Sequence, residues 1–414
     1  MTAPGWRRER FALPDGVVYL DGNSLGALPR AVPVRLGEVV EREWGTGLIG
    51  SWNRVPGGAP GSGWIDLVGR CAALLAPLLG VDAADVHVGE STSQSLFATT
   101  VAGARQRPGR RVLVVDRTTF PTDAYVITSV ARLLGLEVRW CAGPGDDGGL
   151  TAVAAALDED VALVSLTHVD FRTGAMFDLP AVTALVHEAG ALMQWDLCHS
   201  TGAVPVDLAD AGADLAVGCT YKYLNAGPGS PAYAWVAPHL QADLDPPVAG
   251  WMGHAAPFAM RLDHEPSPGV GRLRVGTPPV LALSALEAAL TAFEGVTTAG
   301  LRAASLQLTD RFLDRVDALR ERFPAEQIEV VTPREQPRRG SQVSFRHRHA
   351  YGLVQALIDR GVVGDFRDPD IARFGFAPLY TTLADVDRAT EVLAEVLASR
   401  AYADPAYAVR NPVT

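Results

Sequence analysis

Short apolar runs alternate with stretches of helical period through the first two thirds of the chain. "RVLVVD" (111–116), "LEVRWC" (136–141), "VALVSLTHV" (161–169), "ALMQWD" (191–196), "ADLAVGC" (213–219) and "AYAWVAP" (232–238) are bounded by Gly, Pro or Asp. Nearly continuous apolar strands of this kind suit a sheet covered on both faces. Between them, "TDAYVITSVARLLG" and "LPAVTALVHEAG" place apolar residues on one helical face, the second ending in a C-cap glycine. The alternation predicts an α/β layer with a mainly parallel central sheet and helices on both faces. Only a short turn precedes the run at 232–238, so that last strand is expected to run antiparallel.

From Pro278 the pattern changes. Two long helical stretches, "PPVLALSALEAALTAFEG" and "LRAASLQLTDRFLDRVDALRERF", lead to "QIEVVTP" and "SQVSFRHRH", which alternate like half-buried strands. Helical patterns follow at "YGLVQALIDRG" and "LADVDRATEVLAEVLASR". The organisation predicted is an N-terminal segment, 1–50, packing with the small domain, a large α/β domain over 51–295 and a smaller α+β domain over 296–414. The Gly/Pro-rich "RVPGGAPGSG" (54–63) reads as a loop and the tail after Ala403 as extended.

Composition narrows the partners. The chain has 414 residues, 48% hydrophobic and 20% charged, with a formal net charge of -11. Basic residues form no run beyond pairs such as Arg7-Arg8, which argues against nucleic acid or an anionic membrane as main partner. Four scattered cysteines without C-x-x-C spacing read as buried thiols in a reducing compartment. The N-terminal stretch lacks an apolar signal-peptide core, and "CAALLAPLLGV" is too short and too broken by Pro77 to span a bilayer. A cytoplasmic address is the expectation. "FRHRH" gives His347 and His349 metal-like spacing without a third ligand, so no metal is expected.

The chemistry centres on "TYKYLNAGPGSPAY" (220–233), where Lys222 stands between two tyrosines before a Gly/Pro turn. The turn is expected to let backbone pass close to a ligand. Asp196 closes an apolar strand, and in parallel sheets the carboxyl ends of strands face the ligand crevice. A strand-end acid and a lysine past a neighbouring strand suit pyridoxal phosphate: the lysine forms a Schiff base and the acid pairs with the protonated ring nitrogen. A turn aspartate and a surface lysine would explain the same spacing. "GESTSQSLFATT" offers Ser91, Thr92 and Ser93 at a helix start, either as a phosphate site or as plain N-capping. "TTFPTDAY" offers Phe120 for ring stacking and Asp123 as an acceptor, or simply a turn through Pro121.

Taken together, "YLDGNSLGALP" (19–29), "WGTGLIGSWN" (44–53), "FPTD" (120–123), "THVDFRTG" (167–174), "DLCHSTGAVPVDL" (196–208), "YKYLNAGPG" (221–229), "GWMGH" (250–254), "RVGTPP" (274–279) and "ARFGFAPLY" (372–380) resemble kynureninases, fold-type-I pyridoxal-phosphate hydrolases. The resemblance spans nearly the whole chain. It implies hydrolysis of L-kynurenine, 3-hydroxykynurenine or another ring-substituted kynurenine to an anthranilate and L-alanine. It also implies a place in tryptophan catabolism or NAD biosynthesis, with antibiotic-type biosynthesis left open. Another fold-type-I enzyme, an aminotransferase or lyase acting on a related amino acid, is the alternative.

Residue by residue, the resemblance makes Lys222 the Schiff-base lysine, Asp196 the partner of the ring nitrogen and Tyr221 a phosphate contact that moves a proton. Thr92, Ser93, Phe120, Pro121, Thr122, Asp123, Thr167 and His199 would also hold the cofactor. Trp251 and Thr277 would reach the phosphate of the other subunit, in a homodimer with shared active sites. Ser24 and Arg373 would bind substrate, the planar guanidinium gripping its α-carboxylate. There are departures: Ser95 stands where the family commonly has Asn, Gly50 where bacterial members often have Arg, and Asp170 for a frequent Asn. Gly50 bears on the aromatic end of the substrate.

Overall fold

A computed structural model describes residues 3–410. The first strand, β1 (Val18–Tyr19), precedes helices α1 (Ala31–Glu38) and α2 (Leu67–Leu79). The large layer then runs β2 (Val86–Gly89), α3 (Thr92–Arg105), β3 (Val112–Asp116), α4 (Pro121–Leu134), β4 (Glu137–Cys141), α5 (Leu150–Ala154), β5 (Val161–Thr167), α6 (Leu179–Glu188), β6 (Leu192–Asp196), β7 (Leu215–Gly218) and β8 (Ala232–Val236). After α7 (Val280–Leu290) and α8 (Thr298–Arg322) come β9 (Glu329–Val330), β10 (Gln342–Arg346), α9 (Ala350–Ile358), β11 (Val362–Val363), β12 (Asp365–Arg367), β13 (Ile371–Gly375) and α10 (Leu383–Ser399).

Seven strands form the large sheet in the order β2-β8-β7-β6-β5-β3-β4. Strands β3 to β7 pair in parallel, and β8 runs antiparallel to both β7 and β2. The expected reversed strand is present, but it lies inside the sheet. Its outer neighbour β2, "VHVG", was absent from the sequence reading. Successive residues point to opposite faces: Val112 and Val114 enter one core with α2, α6 and α7, while Leu113 and Val115 enter another with α3 and α4. That two-sided burial is why the inner runs are nearly continuous in apolar residues, whereas β4, at the sheet edge, keeps Glu137 and Trp140 exposed.

A third core gathers α8, α9 and α10 on the antiparallel sheet β12-β13-β10-β9. The N-terminal segment serves two cores. Val18 and Leu20 join the small one through parallel pairing of β1 with β11, whereas Phe11 and Val32 join the large one. Residues 54–63 contain no regular helix or strand. The tail departs from the expected extended form, since Pro405–Ala408 makes a helical turn; 411–414 lie outside the described residues. Among the described residues no single helix is long and apolar enough to cross a membrane. The bent pair that would reach by length, Val280–Phe293 with Thr298–Arg322, buries most of its apolar residues in the cores, with Leu281 left exposed.

Candidate active site

The chain order of strands reverses at β3, which pairs with β5 on one side and β4 on the other, and ligands bind at the carboxyl ends of strands near such a switch. A cavity of about 320 Å³ opens there. Ser24, Thr92, Ser93, Phe120, Thr122, Asp123, Thr167, Asp196, His199, Tyr221, Lys222 and Arg373 all line it. Three of the residues that the resemblance assigns lie elsewhere. Pro121 is the exposed first residue of α4, where its fixed φ suits a helix start. Trp251 is 42% exposed, edge-on to Phe258. Thr277 lines a separate cavity of about 440 Å³ beside α3.

Each side chain is placed by its element. In register, Thr167 ends β5 opposite Asp196 at the end of β6. Asp196 Oδ1 accepts from the Cys198 amide at 2.7 Å. Asp123, in the first turn of α4, lines the cavity with Asp196, and its Oδ2 accepts from the Thr119 and Thr167 hydroxyls at 3.4 Å. Burial, then the charge of Asp196, holds the Asp123 carboxyl well above the usual range, so it keeps its proton. Two buried acids side by side at this edge of the cavity make a place suited to a cation. A protonated pyridine nitrogen fits it.

At the other end, α3 begins with Ser91 as N-cap, in a reciprocal capping box with Gln94. Thr92 and Ser93 are its first residues, so their amides lack intrahelical acceptors, and a phosphate suits them. Tyr221 keeps its hydroxyl proton: burial, then Cys219 and Cys198, raise its pKa.

Lys222 follows β7. Its Nζ lies 2.7 Å from His199 Nε2, and it also sits over the Tyr221 ring, 5.8 Å from the centroid. The imidazole is fully buried and resists protonation because of that burial and of the charges on Lys222 and Arg373. The Gly/Pro turn does not line the cavity, contrary to expectation. Gly227 and Gly229 are needed for positive φ, and Pro228 faces outward. The close approach belongs to Gly26, whose amide donates to the Tyr221 carbonyl at 2.7 Å. A Cβ there would collide with the Lys222 carbonyl and Asn225.

The small sheet supplies a basic end. Antiparallel register sets Asp365 opposite Arg373. Arg373 donates from Nε to Asp365 Oδ1 at 2.7 Å, and from Nη1 and Nη2 to the Phe171 carbonyl, Ser24 Oγ and the other Asp365 oxygen. One Nη1 hydrogen remains for a ligand. Burial alone would raise the Asp365 pKa, but the Arg373 guanidinium outweighs it and lowers it. Asp21 goes the other way, to about 8, through burial and then the charge of Asp365. Near neutrality two guanidinium groups, Arg373 and Arg367, therefore face one full carboxylate, and the surplus positive charge suits an anion.

Arg367, Asp365, Gln342 and Phe171 escaped the sequence reading. Arg367 lines the cavity with a buried Nε that has no acceptor. "DFR" before "ARFG" was visible, but only strand pairing sets Asp365 across from Arg373. Of the departures, Asp170 is a turn residue whose Oδ1 accepts from the Arg172 and Thr173 amides and the Thr173 hydroxyl. Ser95 is buried with an unpartnered Oγ. Gly50 is exposed and does not line the cavity of this chain. No group of three or more His, Cys, Asp or Glu among the described residues could hold a metal.

Residues 301–393 match the family model described as the kynureninase C-terminal domain. A kynureninase from Pseudomonas fluorescens is 48% identical over 98% of this chain and 95% of its own length. The chain belongs to the kynureninase family. A second kynureninase, from Burkholderia pseudomallei, is 47% identical over the same shares. Among solved structures, an apo cysteine desulfurase from Thermococcus onnurineus gives a TM-score of 0.79 at 18% identity, covering 96% of this chain and 99% of that one. A cystine C-S lyase with glycine covalently linked to its PLP cofactor gives 0.76 at 18% identity, covering 94% and 99%. At such identities the likeness speaks for the fold: this kynureninase-family chain has the fold-type-I architecture.

Proposed function

We propose that this protein hydrolyses L-kynurenine, or a ring-substituted analogue such as 3-hydroxykynurenine, to the corresponding anthranilate and L-alanine. It is a hydrolase acting on carbon–carbon bonds, and its cofactor is pyridoxal 5'-phosphate. The observation that carries the reading is 48% identity to a kynureninase over 98% of the chain. An aminotransferase or lyase is not favoured.

When bound, the cofactor supplies an electron sink that weakens bonds around the amino acid's α- and β-carbons. Asp196, with Asp123 beside it, would hold a proton on the ring nitrogen. Thr92 and Ser93 would hold the phosphate from the end of α3, with Tyr221 from the turn beyond β7. Arg373 and Ser24, with Arg367 alongside, orient the substrate carboxylate so that the scissile bond is aligned. Lys222 removes the α-proton, with His199 as an acceptor beside it. Tyr221, which stays protonated, delivers the proton that completes alanine.

The reading extends to a homodimer in which Trp251 and Thr277 serve the partner's site. Their position outside the cavity of their own chain supports it. We place the enzyme in the cytoplasm and in tryptophan catabolism. Steady-state kinetics on L-kynurenine, 3-hydroxykynurenine and halogenated or methylated analogues test the function. Equimolar anthranilate and alanine from at least one of them is expected. No cleavage of any, or a requirement for a keto-acid acceptor, would overturn it.

A further inference from the structure

Gln342 opens β10 and is buried, and its side chain reaches from the small sheet to His199, Asn23 and Phe171, which line the cavity. Its Nε2 donates to the backbone carbonyls of Asp170 at 3.3 Å and Phe171 at 3.1 Å. Carbonyls only accept, so these two contacts fix which end of the amide is nitrogen. The oxygen must face the other way. There Oε1 lies 3.1 Å from His199 Nδ1, with Asn23 Nδ2 at 3.4 Å. An amide oxygen can only accept, so Nδ1 carries a hydrogen. The buried imidazole resists a second proton, which leaves Nε2 as a bare lone pair, 2.7 Å from Lys222 Nζ.

Every bond in this chain points one way: Lys222 donates to His199, His199 to Gln342, and Gln342 to the two carbonyls. The opposite tautomer would leave Nδ1 and Oε1 as two acceptors face to face. We propose that Gln342 is a positioning residue that sets the tautomer of His199, so that His199 presents a proton acceptor to Lys222 in the cavity. The residue acts through His199. It also makes the lysine's surroundings depend on where the small domain sits, because β10 belongs to that domain's sheet. The proposal rests on the reading of the Lys222 cavity as the active site.

The direct test is the protonation pattern of His199 in the holoenzyme. With ¹⁵N-labelled histidine, long-range ¹H–¹⁵N correlation resolves protonated from bare ring nitrogens, and a His199→Asn sample assigns the signal among nine histidines. Hydrogen on Nδ1 and a bare Nε2 are expected. Hydrogen on Nε2 in the wild type would overturn the proposal, whatever any variant does. Gln342→Met keeps side-chain volume but removes the acceptor; it is expected to shift His199 toward the other tautomer. Turnover should fall about 10- to 100-fold with little change in KM, the scale known for losing the outer hydrogen-bond partner of a metal-bound histidine. Gln342→Glu still accepts from Nδ1–H but turns an acceptor toward the Asp170 and Phe171 carbonyls, so it should keep the wild-type tautomer while restoring turnover only in part. A Gln342→Met enzyme that keeps the wild-type His199 signals while losing activity would reduce Gln342 to packing. The tautomer is read without substrate, so a failure to cleave kynurenine would fault the functional reading and leave this one standing.

Discussion

Tyr221 and Lys222 are adjacent in sequence, but their surroundings prepare them for opposite tasks. Burial and the neighbouring thiols keep the Tyr221 proton in place, which suits an acid. Lys222 faces the His199 nitrogen, which suits a base. Tyr221→Phe is therefore expected to retain cofactor yet lose roughly 10²–10⁴-fold in turnover, the range of one general acid. Rapid quench should show an anthranilate burst while alanine lags; loss of cofactor without a burst would make Tyr221 a phosphate anchor. Asp116, at the end of β3, shows the cost of acids near this buried edge. Burial lifts its pKa to about 6 against the bonds it accepts from Thr118. The folded state then binds the proton more tightly than the unfolded chain. The associated stability is present below about pH 4 and is lost as pH rises through about 6. Relative to wild type, Asp116→Asn should gain roughly 1–3 kcal/mol between pH 4 and pH 8 in urea melts. A gain independent of pH would contradict this assignment.

At the scale of elements, the first turn of α3 joins stability to binding. Its capping box fixes the turn that carries Thr92 and Ser93. Ser91→Ala should cost about 0.5–2 kcal/mol of stability and also weaken cofactor affinity, measured by dialysis and reconstitution. Lost stability with unchanged affinity would separate the cap from the phosphate site. The same scale explains what could be read in advance. Asp196 and Lys222 follow apolar strands that are unmistakable because both sheet faces are covered, so their meeting at the carboxyl edge was legible. The four-residue β2 was not, since "VHVG" is interrupted by His87 and ends at once in Gly89 and Glu90, which leaves no apolar run. Nor were Asp365, Arg367 and Gln342, whose placement depends on cross-strand register and on two domains meeting. A one-residue slip of β12 against β13 would turn Asp365 away from Arg373.

For the whole molecule, the cavity is a junction. Helix α8 starts in the large core at Leu301 and continues in the small one from Leu308 to Leu319, while Gln342, Arg367 and Arg373 reach back from the small sheet. Trp251 and Thr277 lie outside this junction, which their proposed service to the partner subunit would explain. Mixing inactive Lys222→Ala protomers with inactive Trp251→Ala or Thr277→Ala protomers should restore partial activity, because the two lesions fall in one composite site and leave the other intact. Confirmed mixed dimers without recovery would count against sharing. The central claim is that the Lys222 cavity carries the chemistry, and covalent labelling of the holoenzyme tests it most directly. Borohydride reduction followed by peptide mapping should place the phosphopyridoxyl group on Lys222 and abolish anthranilate formation together. A label on another lysine, or none after reconstitution with pyridoxal phosphate, would contradict the account.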